Sequence, residues 1–123
     1  MPWDLKSDRP IYSQLVEQIE TMIFSGYYPP GSRLPSVRDM AQEAAVNPNT
    51  MQRAFSKLEE DGLIITHRTS GRSITEDSNM IKKAKTILAQ EQIKEFLGKM
   101  QKLGFEQKEV LSIVTEMLEE VNV

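Results

Sequence analysis

The sequence of 123 residues has no cysteine and a single histidine, His67. Disulfides, thiol catalysis and the common zinc sites are therefore excluded, and one histidine cannot form a histidine-based metal centre. A Gly-rich phosphate loop and a nucleophile elbow are also absent from the sequence. These absences argue against an enzyme and predict neither a metal nor a cofactor.

Long apolar runs are missing as well. No stretch approaches the ~20 residues that a membrane-spanning helix needs, and the N-terminal MPWDLKSDRP lacks the apolar core of a signal peptide. We expect a soluble, cytoplasmic protein with no membrane partner. Apolar residues still make up 39% of the chain, which is enough for a small hydrophobic core.

The chain lacks a net positive charge, and its formal net charge of −3 argues at first against a nucleic-acid partner. Acidic residues are unevenly placed, however. The fifteen positions from 44 to 58 contain no Asp or Glu, and residues 64–75 contain none either, although they hold Arg68 and Arg72. These two segments indicate where a polyanion would bind.

Three segments in the first half have the apolar spacing of amphipathic helices. The first follows Pro10 and is predicted to end at Gly26. The second begins at Ser36, which forms a capping box with Asp39 in place of the usual glutamate. The third begins at Asn47, a good N-cap because its side chain accepts an otherwise unpaired backbone hydrogen bond.

The third helix and a hairpin after it complete the predicted domain. Pro48 occupies the first helical position, where its missing N–H is harmless, and Gly62 is predicted to end the helix. The acidic run from Glu59 to Asp61 is interpreted as solvated. Two β-rich runs, LIITHR and RSIT, then predict the hairpin. The order helix, helix, short turn, helix and hairpin predicts a winged helix-turn-helix domain over residues 1–75.

Residues 76–123 predict two further amphipathic helices, interrupted at LGFEQ. Two helices of this length have no core of their own, so their apolar faces need another surface, and a second copy of the chain is the simplest one. We therefore expect a mostly α fold with a small β-hairpin wing, followed by an α-helical hairpin that forms a homodimer. The predicted dimerisation residues are Ile81, Ala84, Leu88, Phe96, Leu97, Val110, Leu111, Val114, Met117, Leu118 and Val121.

The third helix has a second face that is rich in amides and cations. If its apolar residues from Met51 to Leu58 face the core, the side chains opposite them point away from it. Those side chains are Asn49, Gln52, Arg53, Ser56 and Lys57. Amides bond adenine edges and guanidinium groups bond guanine, whereas carboxylates would repel the phosphates. The alternative is an ordinary solvated helix face that lacks acid by chance.

Arginines outside this helix add to the predicted site. Arg68 and Arg72 flank the hairpin turn, at the position of a wing that lies along a DNA backbone or enters the minor groove. A surface hairpin with incidental arginines is the alternative. Arg38, near the start of the second helix, would reach a phosphate or a base, or would instead pair with Asp39 or Glu43.

Motifs spread over about the first 75 residues occur in an order that is more specific than any single short motif. They are Pro10-Ile11-Tyr12 with Gln14-Leu15, Pro30-Gly31 with Leu34-Pro35-Ser36 and Arg38, Asn49-Thr50 with Arg53-Ala54, Leu58-Glu59, and Gly62-Leu63-Ile64. In this order they resemble the GntR family of bacterial transcription regulators.

The resemblance implies that Ser36, Arg38, Thr50 and Gln52 contact DNA phosphates or bases, and that the wing tip around Arg68 contacts DNA. The sequence departs from the family pattern at Thr69, where the family has glycine, at Ser73, where it has an aromatic residue, and at Pro48, where relatives often have a polar or basic contact residue. The full set of predicted DNA-binding residues is Ser36, Arg38, Asn47, Asn49, Thr50, Gln52, Arg53, Lys57, Arg68, Thr69, Ser70, Gly71 and Arg72.

The last 48 residues are too few for the effector-binding or aminotransferase-like domains of larger GntR relatives. A two-helix tail is similar to the YtrA-type subfamily, whose short tails dimerise. The resemblance implies a repressor, and by analogy one that controls transporter genes.

The sequence thus predicts a transcriptional regulator that binds double-stranded DNA in a sequence-specific manner. We expect a homodimeric repressor that reads a pseudo-palindromic operator with its third helix in the major groove. The alternative is a winged helix that binds a protein and has no sequence-specific DNA binding. A small effector at the dimer seam stays open, because no convergent polar groups identify its site.

Overall fold

A computed structural model of the chain describes residues 3–121, and these form five helices and one two-stranded hairpin. In chain order they are α1 (Ile11–Phe24), α2 (Val37–Ala44), α3 (Pro48–Glu60), β1 (Ile64–His67), β2 (Gly71–Ile74), α4 (Ser78–Lys102) and α5 (Gln107–Val121). The predicted fold class, mostly α with a β-hairpin wing after the third helix, is confirmed.

The chain divides into two compact units, the first of which ends at Lys85 and the second of which begins at Thr86. In the first unit, α1, α2, α3 and the hairpin enclose an apolar core whose members are almost inaccessible to water. They are Leu15, Ile19, Ile23, Leu34, Met40, Ala41, Ala44, Met51, Ala54, Phe55, Leu58, Leu63, Ile64 and Ile74. Each of the larger side chains contributes about 1.5–3 kcal/mol when it is fully buried, so this cluster holds the three helices together.

The helix-turn-helix geometry results from local capping. The Ser36 hydroxyl accepts a hydrogen bond from the Asp39 backbone N–H at 3.1 Å, as expected for the start of α2. At its end, Ala45 adopts the left-handed conformation with φ 57°, and the Val46 N–H bonds back to the Ala41 carbonyl at 3.0 Å. This Schellman-type turn leaves one residue, Val46, between Ala45 and the Asn47 cap of α3.

The end of α3 is also as predicted. Gly62 has φ +81° and the Leu63 N–H bonds to the Leu58 carbonyl at 3.0 Å, which completes a Schellman motif. A Cβ at position 62 would lie 2.5 Å from the Met80 sulfur, but this exposed and flexible side chain could move aside, so it is the positive φ that favours glycine here.

The wing is wider than the two predicted strands. β1 and β2 pair antiparallel, with Ile64 opposite Ile74 and His67 opposite Gly71. The segment before α2 pairs with the other edge of β2, because Arg33 forms a bridge with Ser73 and the Leu34 N–H bonds to the Arg72 carbonyl at 2.9 Å. The sequence predicts only a turn here, because a bridge of one residue leaves no periodic pattern.

The segment before α1 is fastened to that helix by a buried amide. The Gln14 side chain is fully buried, accepts from the Lys6 N–H at 2.6 Å, and donates to the carbonyls of Lys6 and Arg9 at 2.7 and 2.9 Å. One turn further along α1, Gln18 bonds both backbone groups of Asp4. Because the buried amide is fully paired, it stabilises the segment instead of costing desolvation energy.

The predicted tail helices are present as α4 and α5. Ile81 and Ala84, at the start of α4, are half-buried against the core cluster of the first unit, whereas Leu88 and Leu97 lie further along and are half-buried. Gly104 ends α4 with φ +95°. No helix among residues 3–121 is long and apolar enough to span a membrane.

Candidate nucleic-acid interface

Helix α3 has one buried and one exposed face. Met51, Ala54, Phe55 and Leu58 are fully buried, and the predicted division of this helix is therefore confirmed. The opposite face is exposed to solvent and contains Asn49, Gln52, Arg53, Ser56 and Lys57. Thr50 lies between the two faces and is half-buried. That this face binds DNA stays a prediction.

At the N-terminus of α3 the Asn47 carboxamide oxygen accepts the Asn49 N–H at 2.7 Å. The capping role expected of Asn47 is thus confirmed, and its oxygen is occupied, which leaves the amide NH₂ for a DNA contact. Pro48 follows at the first helical position. Its ring donates no hydrogen bond, so it adds no polar contact to the interface.

The side of the exposed face that lies away from Arg53 and Lys57 carries an internal hydrogen bond. The Gln52 amide nitrogen donates to the Ser56 hydroxyl at 3.3 Å, one helical turn away. The bond is long and both residues are exposed, so the Gln52 amide is available to exchange this partner for a base edge. Gln52 and Asn49 are the two exposed side-chain amides of this face, the group that can bond an adenine edge at two points.

The side of α3 that faces α1 carries Arg53, which has no ion pair within the described residues, and Lys57, which is paired with Asp61. The Arg53 guanidinium carbon lies 4.3 Å from the centre of the Tyr12 ring, and no carboxylate among residues 3–121 pairs with Arg53. Lys57 forms an ion pair with Asp61 at 3.2 Å. The hydrogen bond to Asp61 and its charge raise the pKa of Lys57, so Lys57 is charged but partly neutralised.

The opposite side of α3 is connected to the wing. Arg72 Nε donates to Glu59 at 2.8 Å, and its guanidinium lies 5.5 Å from the Phe55 ring centre. Burial raises the pKa of Glu59, but hydrogen bonds from Arg72 and Thr66, with the Arg72 charge, outweigh burial and lower it. Through Arg72 the carboxylate connects β2 of the wing to α3.

These ion pairs correct one expectation from the sequence. The run from Glu59 to Asp61 is not a simple solvated cluster, because Glu59 pairs with Arg72 and Asp61 pairs with Lys57. The structure also places Arg72 in an internal contact, with only 24% of its side chain exposed. Its DNA-binding role stays a prediction, and the internal pair gives it a second role.

The wing turn itself is exposed at Arg68, Thr69 and Ser70. Gly71 carries the positive φ of this turn, +82°, and Thr69 does not have one, so the turn does not require glycine at position 69. The guanidinium of Arg33 donates to the Ser70 carbonyl and braces the turn from the adjoining segment. No pattern in the sequence singles out Arg33, because its partner lies 37 positions away.

The start of α2 presents Ser36 and Arg38, both exposed. The Ser36 hydroxyl is used as the helix cap. Arg38 forms no ion pair with Asp39, Glu43 or any other carboxylate among residues 3–121, so the internal pairing considered from the sequence is not formed. No group of three or more metal-ligating side chains occurs within the same residues.

A family model described as "Bacterial regulatory proteins, gntR family" matches residues 11–74, which contain α1 to β2. The chain belongs to the GntR family. The HTH-type transcriptional regulator YhcF of Bacillus subtilis is 38% identical over 106 residues, which cover 86% of this chain and 88% of YhcF. The HTH-type transcriptional repressor YtrA of the same organism is 32% identical over 119 residues, which cover 96% of this chain and 92% of YtrA.

Solved structures of GntR proteins agree. A GntR family transcriptional regulator from Listeria monocytogenes superposes with a TM-score of 0.82 at 37% identity, covering 91% of this chain and 98% of the other. The DNA-binding domain of AraR in complex with its operator ORE1 has a TM-score of 0.52 at 25% identity, covering 61% and 94%. This GntR protein is therefore a transcriptional regulator with a DNA-binding helix-turn-helix domain, and its resemblance to YtrA-type regulators is confirmed.

Proposed function

We propose that this GntR protein is a homodimeric repressor that reads a pseudo-palindromic operator. In the proposal residues 1–75 bind DNA, with α3 of each subunit in the major groove and the wing on the flanking backbone, and residues 76–123 form the dimer. The observation that carries the proposal is the exposed face of α3 from Asn49 to Lys57, which contains amides, a hydroxyl and two cations. The first exposed carboxylate of this face is Glu60, at the end of the helix.

The charges around this face support a DNA partner. Arg38, Arg53 and Arg68 are exposed and form no ion pair among residues 3–121, so their charges are available to phosphates. Gln52 and Asn49 add two side-chain amides to this face, and amides are the groups that recognise adenine edges. A regulator that binds operator DNA acts where the DNA is, and we propose a cytoplasmic location for that reason.

The apolar surface of the tail supports a second copy as partner. In residues 86–121 Val110 is the single buried apolar side chain, and Val114 is half-buried. Large apolar side chains that stay exposed include Phe96, Leu111, Met117, Leu118 and Val121, whose exposed fractions reach 77% at Val121. Exposed apolar patches of this kind mark interaction sites. A two-fold dimer would place two α3 helices on half-sites about one helical turn, ~34 Å, apart or at a near multiple.

The proposed direction of regulation, repression, rests on the name of the relative YtrA, with which this chain shares 32% identity over nearly its whole length. We assign no effector site and no catalytic role.

A binding selection tests the proposal. Random double-stranded DNA is enriched on the purified chain, and the enriched fragment is titrated by fluorescence anisotropy against a scrambled fragment of equal length. We expect an enriched site with two-fold symmetry and at least tenfold preference over the scrambled fragment. Equal affinity for both fragments would favour the protein-binding alternative.

Arg38→Ala is the matched variant for this assay. It should weaken operator binding about a hundredfold, because each subunit of the dimer loses one hydrogen-bonded charge contact that is worth about tenfold, with an unchanged melting temperature. Lys99→Ala, which removes a cation from the last turn of α4, serves as control and should bind like the wild type. Wild-type affinity of Arg38→Ala would remove Arg38 from the site.

A further inference from the structure

The aromatic ring of Tyr12 in α1 lies against the guanidinium of Arg53 in α3. Tyr12 is the second residue of α1 and is half-buried, and the Arg53 guanidinium carbon lies 4.3 Å from its ring centre. At this distance the negative face of the ring attracts the cation. The contact therefore restricts a long side chain that would otherwise sample many rotamers, while its charge stays exposed to solvent.

The same contact shows which part of the exposed face Arg53 occupies. Successive helix residues are rotated by about 100°, so Arg53 and Lys57, four positions apart, share one edge of α3 and Gln52 with Ser56 share another. Because Arg53 touches Tyr12, its edge is the one that faces α1. Glu59, which pairs with Arg72 of the wing, marks the other side of the helix.

A helix that enters a groove reads bases with its central residues and meets the two phosphate backbones at its edges. Arg53 is directed to such an edge, and unlike Lys57 and Arg72 it has no carboxylate partner among residues 3–121. Its full charge is therefore available to an anion at that edge.

We propose that Tyr12 is a positioning residue of the DNA site: its ring holds Arg53 at the α1-facing edge of α3, where the guanidinium binds a backbone phosphate and not a base. This inference rests on the proposed DNA-binding function. It extends the interface to α1, and it assigns to Arg53 a contribution to affinity that does not depend on the operator sequence.

The test uses the full chain, the selected operator and a scrambled fragment, with affinities measured by anisotropy from about 50 to 200 mM salt. Arg53→Ala removes one contact from each subunit of the dimer, so it should bind both fragments more weakly by the same factor, about a hundredfold. It should also reduce the slope of log affinity against log salt by about 1.8, the value for two phosphates. A base contact would instead weaken operator binding much more than scrambled binding, and that result would overturn the assignment.

Tyr12 is tested by two substitutions and a double variant. Tyr12→Phe keeps the ring and should bind like the wild type. Tyr12→Leu removes the ring and should weaken binding about two- to fivefold for each subunit, which is about five- to thirtyfold for the dimer. In an Arg53→Ala background Tyr12→Leu should have no further effect on affinity, because the side chain that it positions is gone. Tyr27→Leu is the matched control, because it removes a tyrosine ring that contacts Tyr28 and not Arg53, and it should leave DNA affinity unchanged.

If Tyr12 only stabilised the fold and did not position Arg53, the variants would show a different pattern of affinities. Tyr12→Leu would then reduce affinity equally with or without Arg53, in proportion to a lowered melting temperature, and the positioning role would be refuted. Failure of the proposed function is seen separately in the wild type, as equal affinity for operator and scrambled DNA, and this would refute both proposals. Specific wild-type binding with a silent Arg53→Ala would refute the inference alone.

Discussion

The contact between Glu59 and Arg72 allows two arginines of the wing to be separated by experiment. Arg68 and Arg72 flank the same turn, carry the same charge and are both predicted to bind DNA. In the structure Arg72 also holds the wing on α3, whereas Arg68 is exposed and has no ion pair among residues 3–121. We therefore expect Arg72→Ala to destabilise the fold and Arg68→Ala to leave it unchanged.

The size of the effect comes from two contacts. A hydrogen bond between charged groups contributes about 1.5–3 kcal/mol when protected and an exposed ion pair about 0–1 kcal/mol. With 24% of the Arg72 side chain and 32% of the Glu59 side chain exposed, solvent screening leaves about 1 kcal/mol. The guanidinium over the Phe55 ring adds about 0.5–1 kcal/mol. Arg72→Ala should lower the free energy of unfolding by about 1–2 kcal/mol, or the melting temperature by about 4–10 °C.

The pH dependence has a definite sign. The pKa of Glu59 in the folded chain lies below its usual value of 4.5, so the ion pair stabilises the folded state fully above that value. The contribution is lost as the pH falls through the folded-state pKa, because a neutral carboxyl no longer pairs with Arg72. The difference in melting temperature between wild type and Arg72→Ala should therefore narrow in acid, leaving only the part due to Phe55.

Thermal unfolding followed by circular dichroism from pH 7 to about pH 3 measures these differences. Glu59→Gln and the double variant complete a cycle whose coupling energy should be about 1 kcal/mol. If Arg72→Ala and Arg68→Ala melted together at pH 7, the internal role of Arg72 would be wrong. A difference that stayed constant into acid would assign the stabilisation to Phe55 and not to Glu59.

Two further predictions concern the dimer and the helix-turn-helix. Leu118→Lys should shift the protein from dimer to monomer in sedimentation equilibrium, because it places a charge in the exposed apolar stripe of α5. The neighbouring Glu119→Lys is the control and should stay dimeric. If Leu118→Lys also stayed dimeric, the dimer interface would lie elsewhere. Ala45→Gly should raise the free energy of unfolding by about 0.5–1 kcal/mol in denaturant titrations. The reason is that Ala45 has φ 57°, and the left-handed strain that glycine relieves there exceeds the entropic cost of glycine. A lower free energy of unfolding for Ala45→Gly would show that the turn is unstrained.

Features that depend on neighbouring residues are predictable from the sequence. The caps Ser36 and Asn47 bond to groups three and two positions away, and Gly62 ends α3 through bonds between residues 58 and 63. The buried stripe of α3 results from helical periodicity alone. Such features need no knowledge of the tertiary structure, and the sequence predicts all of them at the correct positions.

Features that join distant parts of the chain are not predictable in this way. The Glu59–Arg72 pair spans 13 positions and the Arg33–Ser70 bond spans 37, and neither has a sequence motif. Tyr12 forms part of a recognised motif, but its contact with Arg53 depends on how α1 crosses α3. Likewise, the apolar stripe of a helix does not reveal which surface packs against it. The sequence predicts that Ile81 lies in the dimer interface, but it packs against the core of its own chain.

The ion pairs also predict how strongly salt should weaken DNA binding. Five cations belong to the predicted interface, but Lys57 and Arg72 are paired internally, which leaves Arg38, Arg53 and Arg68 in each subunit. A dimer would then neutralise about six phosphates, and log affinity should fall against log salt with a slope of about −5, a loss of about 10³ between 50 and 200 mM. If all five cations bound phosphates, the slope would approach about −9 and the loss about 10⁵. A measured slope near the larger value would mean that DNA displaces Asp61 and Glu59 from their partners, and the wing would then have to be repositioned on binding.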